Sequence, residues 1–309
     1  MNTLIDIAVY PVRNALKTLL VDKTTKQNIV YATDSYSSMD IHPEDHIESN
    51  TLFMLGSDFI QPRVLKNKQA QTDRTKSKAE VMTPAWIVNK MNNHCDEDWF
   101  GYPNVFNTEK DKTWETNYNP ISFPDGKNWQ DYVRSMRLEI TCGEAPYLVS
   151  RYDTTTGEVI PVKDRIGILD RKLRVVGENT STKEDWLTWA IKAYESTYGY
   201  EYQGDNLLIG RINLLITFVD YMKDKWGEMP TESEINKIAN IIAWNVWQMD
   251  GITGCIPFAY DDVVIERQIS LFEIIGGDTS PKVGKAPKEA TIYNWKSKKA
   301  VTFNSLKES

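Results

Sequence analysis

Leu138-Glu-Ile-Thr-Cys-Gly-Glu-Ala-Pro146 is the stretch that decides the fold, because a short strand runs there into a glycine-bearing loop. Downstream, Asp153-Thr-Thr-Thr-Gly157 reads as a hairpin turn, and Arg165-Ile-Gly-Ile-Leu-Asp170 as a second apolar strand ending on an acid. Three helices are expected next. Ser181-x-x-Glu184 is a capping box ahead of Trp186, Leu187, Ala190, Ile191 and Tyr194. Asn206 to Trp226 is a long apolar helix stopped by Gly227. Thr231-x-x-Glu234 is a second capping box, ahead of Ile235, Ile238 and Ile242, and Trp244 to Met249 reads as a strand ending on Asp250. Strands alternating with helices predict an α/β fold with a mostly parallel sheet and helices on both faces.

Upstream of this stretch the signals are sparser. Val12 to Leu20 is amphipathic, Lys23-Thr-Thr-Lys26 is a turn, and Asn28 to Thr33 reads as a strand. Thr83-Pro84 opens a helix over about 84 to 92, with threonine capping and proline in the first turn. Residues 94–130 are rich in Asn, Pro, Asp and Trp and read as a long irregular excursion. The organisation expected is an N-terminal α+β region, residues 1–78, followed by one domain over 79–309.

Composition excludes several classes. The 309 residues carry 10 Trp, 15 Tyr and 9 Phe, too many aromatic rings for a disordered chain. Three cysteines, Cys95, Cys142 and Cys255, do not make a disulfide scaffold and favour a reducing, cytoplasmic setting. The N-terminus has no basic segment ahead of an apolar run, so no signal peptide is expected. The stretch Leu207 to Phe218 is broken by Gly210, Arg211 and Asn213, so no membrane span is expected. His42 and His46 lie in an acidic loop without regular ligand spacing, and no metal is expected. The net charge of -7 leaves binding to a polyanion to local patches. One such patch is Arg63, Lys66, Lys68, Arg74, Lys76 and Lys78, against the single acid Asp73; the lysines of the C-terminal tail form a second.

Ligands of open α/β sheets bind beyond the carboxyl ends of the strands. Here those ends carry Cys142-Gly143-Glu144, Asp170 and Asp250-Gly251. A glycine lets backbone approach a ligand closely, and a carboxylate accepts hydrogen bonds from ribose hydroxyls or an exocyclic amine. Each acid also fits a helix or turn cap. The chain has neither the Gly-x-Gly-x-x-Gly of dinucleotide sites nor a Walker sequence, so a cationic nucleoside fits this set better than a pyrophosphate.

Four segments resemble motifs of the N6-adenine DNA methyltransferases. Glu80-Val-Met-Thr-Pro-Ala-Trp-Ile-Val-Asn-Lys-Met91 resembles their Thr-Pro motif, and Ile140-Thr-Cys-Gly-Glu-Ala-Pro-Tyr-Leu148 their first-strand motif. Arg165 to Asp170 is similar to the strand whose acid holds the ribose, and Asn245-Val-Trp-Gln-Met-Asp-Gly251 to the strand whose acid meets the adenine. The order, Thr-Pro first, is that of the gamma arrangement, and the chain looks like M subunits of restriction-modification systems from bacteria and phage. The resemblance implies a Rossmann-like sheet that binds S-adenosylmethionine. It places Thr83 and Pro84 at the methionine end, Cys142, Gly143 and Glu144 at the amino acid and sulfonium, Asp170 at the ribose and Asp250 at the adenine. It further implies DNA as a partner, with a possible restriction or specificity subunit, and the basic patch on phosphate.

The catalytic Asn/Asp-Pro-Pro-Tyr/Phe tetrapeptide of these enzymes is absent. Cys255-Ile-Pro-Phe258 is its counterpart by order, giving Pro257 and Phe258 as the candidate catalytic residues, while Asn119-Pro-Ile-Ser-Phe123 lies upstream of the cofactor strand. Two functions therefore stand side by side. One is a methyltransferase acting on an adenine amine; the other is an accessory subunit that binds cofactor or DNA without the chemistry.

Overall fold

The computed structural model describes residues 4–56, 59–78, 82–265 and 282–306. Strands β3 (Arg137–Glu139), β4 (Thr197–Glu201) and β5 (Val246–Gln248) form a parallel sheet in that order. Leu138 stands opposite Tyr198, and Tyr200 opposite Trp247. Parallel neighbours need long crossovers, and each here uses two helices. Helices α6 (Ile168–Asn179) and α7 (Lys183–Glu195) connect β3 to β4, and α8 (Gly204–Trp226) and α9 (Glu232–Asn245) connect β4 to β5.

The other described strands pair antiparallel: β1 (Asn107–Lys110) with β2 (Thr113–Thr116), β6 (Cys255–Ile265) with β7 (Lys282–Glu289), and β8 (Thr291–Asn294) with β9 (Lys299–Thr302). The fold is mixed α/β, with short sheets that are parallel in one part and antiparallel in the rest.

Helix α8 is buried along most of its length. Leu207, Leu208, Ile212, Leu215 and Phe218 are each fully enclosed, and Gly227 ends the helix in the left-handed conformation as its sequence predicts. Helix α1 (Val12–Leu20) packs on α8 and α9 through an apolar stripe that includes Leu16 and Leu19. Residues on both sides of the boundary expected near 78 share this one core, which runs from Ile5 to Val246. A smaller apolar cluster holds Tyr200, Trp247 and Met249 against Ile256 and Ile292. No helix among the described residues is long and apolar enough to cross a membrane.

Several expectations are corrected. Arg165–Asp170 is not a strand, because α6 starts at Ile168 with Gly167 as its N-cap. Its apolar spacing continues through Leu169, Leu173 and Val176, a helical period that a six-residue window hides. Residues 28–33 form only isolated bridges, with Val30 to His46 and Asn28 to Val21, and the Val30 backbone is paired instead with the Gln248 side chain at 2.9 Å in both directions. The cap of α7 is Thr182, one residue later than Ser181, with its hydroxyl accepting from the Asp185 amide. The helix opened by Pro84 is α4 (Ala85–Phe100), longer than expected. The excursion 94–130 holds the end of α4, the β1–β2 hairpin and the start of α5 (Trp129–Arg134).

Candidate functional site

The parallel register brings the carboxyl ends of β3, β4 and β5 to one edge of the sheet. Beyond β3 the chain turns sharply: Thr141, Gly143 and Ala145 have φ of 45°, 53° and 63°. A β-branched residue seldom adopts that region, so the turn is held by its surroundings. Those surroundings are visible. The Cys142 amide donates to the Tyr200 carbonyl at 2.8 Å, and the Gly143 amide to Glu201 Oε2 at 2.9 Å. Gly210 of α8 lies close enough that a β-carbon there would sit 3.1 Å from the Gly143 carbonyl.

Glu201 closes β4. Its other oxygen accepts from the Gln203 amide at 3.1 Å, and its backbone carbonyl from the Met249 amide at 3.0 Å. It therefore joins the β3 turn to the end of β5. Asp250 follows β5 and accepts through Oδ1 from the amides of Ile252 and Thr253 at 2.8 and 3.3 Å, a turn cap. Gly251 packs against the Tyr200 ring, where a β-carbon would sit 2.9 Å away.

The sequence-predicted residues divide between this edge and other places. Gly143 and Asp250 stand at the edge. Cys142 turns its buried side chain inward beside Gly199, and burial, together with the charges of Glu139 and Glu201, pushes its thiol well above the usual range. Glu144 is buried and engaged: Oε1 accepts from the Arg63 amide at 2.6 Å and Oε2 from the Tyr152 hydroxyl at 2.6 Å. Thr83 lies near Pro146 and Tyr152, its carbonyl accepting from the Thr154 hydroxyl, while Pro84 rather than Thr83 is the N-cap of α4 and Asp153 accepts from the Ala85 amide.

Asp170 is not at a strand end. It sits in the first turn of α6, wholly buried, and accepts from the Ser150 amide at 2.7 Å and the Ser150 hydroxyl at 3.2 Å. An acid there complements the helix N-terminus and ties the loop after the β3 turn to α6. Pro257 is buried within β6, and Phe258, 46% exposed with φ 56°, marks the irregularity between Cys255 and Tyr260.

The basic patch is only partly turned to solvent. Helix α3 (Lys68–Lys78) packs over the N-terminus of α8. Arg74, 4% exposed, donates to Asp205 Oδ2 at 2.8 Å, Asp205 Oδ1 at 3.1 Å and Gln203 Oε1 at 2.9 Å. Lys66 reaches the same carboxylate at 3.3 Å, and Arg63 donates to the Gln71 carbonyl and the Thr75 hydroxyl. Lys68 and Lys76 are exposed, while the Lys78 side chain lies outside what the structure describes. Sequence gave no sign that Asp205 would draw the guanidinium inward, since the two are far apart along the chain.

Glu201 is the strand-end acid missed in the sequence. Thr197-Tyr-Gly-Tyr-Glu201 follows α7 without a loop, and its central glycine weakens the strand signal. The pattern of threonine and tyrosines closing on an acid was the available clue. Among the described residues no group of three or more His, Cys, Asp and Glu side chains gathers as for a metal ion. A cleft of about 690 Å³ lies away from this edge, between the β1–β2 hairpin and the start of α4, lined by Trp86, Trp114 and Tyr118. No protein family, curated protein or solved structure matches this chain.

Proposed function

We propose that this chain is an S-adenosylmethionine-binding, methyltransferase-like protein that acts with DNA in a restriction-modification or phage system. One observation carries the reading: a glycine-bearing turn and two carboxylates, Glu201 and Asp250, stand together beyond the carboxyl ends of three parallel strands. In this reading Glu201 takes the ribose role that the resemblance gave to Asp170. Its carboxylate accepts the Gly143 amide at 2.9 Å and the Gln203 amide at 3.1 Å, which fixes it at the strand end beside the turn. Asp250 would meet the adenine amine, and the Gly143 turn would pass the amino-acid end.

The second reading is a cofactor- or DNA-binding accessory without the chemistry. What favours it is the burial of Pro257 in the irregular stretch of β6 between Cys255 and Tyr260, beside the absence of the catalytic tetrapeptide. In either reading the bound group would supply a methyl on a sulfonium, and the chain's residues would hold and orient it.

Calorimetric titration with S-adenosylmethionine tests the shared part. Binding at about micromolar Kd is expected for the wild type. Glu201→Gln, with its far-UV spectrum unchanged, is expected to weaken binding by about tenfold or more, the cost of one charged acceptor. Asp170→Asn is expected to bind as the wild type does. A wild-type protein that takes up no S-adenosylmethionine, alone or with duplex DNA, overturns the proposal. Transfer of a labelled methyl to DNA, with Pro257→Ala as control, then separates the two readings.

A further inference from the structure

The two edges of the parallel sheet are finished differently. Along β5 the edge is covered: Val246 and Gln248 are fully buried, and the Gln248 amide pairs with the Val30 backbone. Along β3 the edge is open. Among the described residues no strand pairs with it, and Met136, Leu138 and Ile140 are 78%, 46% and 63% exposed. The Arg137 amide donates to Ser196 on the β4 side. By strand alternation the N–H and C=O of Leu138 therefore point to the free side. Beside this edge lies an apolar groove of about 230 Å³, lined by Met136, Leu138, Tyr198, Trp247, Ile292 and Phe303.

Met136-Arg-Leu-Glu-Ile140 is self-complementary about Leu138: apolar residues at the centre and ends, opposite charges between them. We infer that a second copy of this chain pairs with the β3 edge, antiparallel about a two-fold axis through Leu138, and makes one continuous six-stranded sheet. In that register the two Leu138 residues exchange both backbone hydrogen bonds, and Met136 faces Ile140 of the other copy. Arg137 then faces Glu139 across a non-hydrogen-bonded pair, the closer kind.

Both charged groups want such a neighbour. Arg137 Nη2 is buried without a hydrogen-bond partner, 3.9 Å from Asp96 Oδ1. Among the described residues the Glu139 carboxylate is buried with the amides of Tyr147 and Leu148 on it, and burial pushes it well above the usual range, which a cation set opposite would relieve. Charges on an edge strand ordinarily keep other strands away. Here they oppose an arbitrary strand yet complement a second copy, which is what selects this occupant. The apolar side chains of the incoming strand fall on the face that carries the groove, since directly opposed residues share a face.

Light scattering on the full-length protein, with far-UV circular dichroism as the folding control, tests this. The wild type is expected to have the mass of two chains at about 100 µM, and Leu138→Lys with Ile140→Lys, both at exposed positions, to self-associate at least about tenfold more weakly. The symmetric register is tested separately with Leu138→Cys in a Cys95→Ser, Cys255→Ser background. The two cysteines would sit at about 5.5 Å between α-carbons, within disulfide reach, and mild oxidation should give a covalent dimer. A wild type that is monomeric at that concentration overturns the inference and leaves the edge to a different chain. A dimer that survives the lysine substitutions, or that fails to cross-link at 138, overturns it equally.

Discussion

Asp205→Ala is expected to destabilise the protein by about 3–5 kcal/mol near neutral pH, because it removes the buried carboxylate that the Arg74 guanidinium and the Lys66 ammonium share. Arg74 keeps two of its hydrogen bonds with Asp205, and Tyr36 donates to the same carboxylate at 2.8 Å. Burial alone would raise the Asp205 carboxyl; the charges of Lys66 and Arg74, with hydrogen bonds from Arg74 and Tyr36, outweigh it and hold the carboxyl well below the ordinary range. A depressed carboxyl stabilises the fold fully above its unfolded value, about pH 4, and that contribution fades as pH falls toward the folded value. Urea unfolding from pH 7 to pH 3 should therefore show a constant gap between wild type and variant down to about pH 4 and a narrowing gap below it. Asp205→Leu with Arg74→Met should recover part of the loss, since it removes the buried guanidinium while Lys66 still loses its carboxylate. Equal stability of wild type and Asp205→Ala at pH 7 would contradict the account.

Arg211→Met should be as costly, about 3–5 kcal/mol, by removing one buried donor set from four carbonyls. The guanidinium donates to Val246 and Ala243 at 2.7 and 3.3 Å, to Val21 at 3.1 Å, and to Leu19. These carbonyls end α1 and α9, where helix dipoles leave partial negative charge. Burial lowers the Arg211 pKa to about 10, against the opposing influence of Asp22 and Cys142, so it stays protonated at neutral pH. Arg211→Lys is expected to restore little, because an ammonium lacks the planar fork that spans two helix ends. Denaturant unfolding of the three proteins measures both effects; an Arg211→Met protein within about 0.5 kcal/mol of wild type would show that water reaches the carbonyls instead.

The Asp205 network turns part of the basic patch inward. Arg63 to Lys78 presents six cations in sixteen residues, and sequence spacing alone makes a solvated face or a phosphate contact equally natural. Which cations turn inward depends on Asp205 and Gln203, brought near by the turn after β4. Asp170 is the parallel case at the candidate site. As a residue type it suits a ribose, yet one turn of helix at Ile168 places it beside Ser150, and Glu201 stands where a strand-end acid was sought.

Features set by neighbours a few residues away were legible in the sequence alone. Thr231 with Glu234 forms its capping box, Gly227 ends α8, Pro84 starts α4 and Asp153 to Gly157 turns, because each depends on local backbone hydrogen bonding or steric freedom. The β3 strand and its glycine turn were legible for the same reason. Tertiary structure alone decided β4, whose five residues are a strand only because β3 and β5 flank them. It also decided which carboxylate meets the Gly143 amide, which cations are buried, and which sheet edge is left open. Each of these is fixed by groups tens to hundreds of residues apart, whose meeting depends on how α8 and α9 pack rather than on any spacing along the chain.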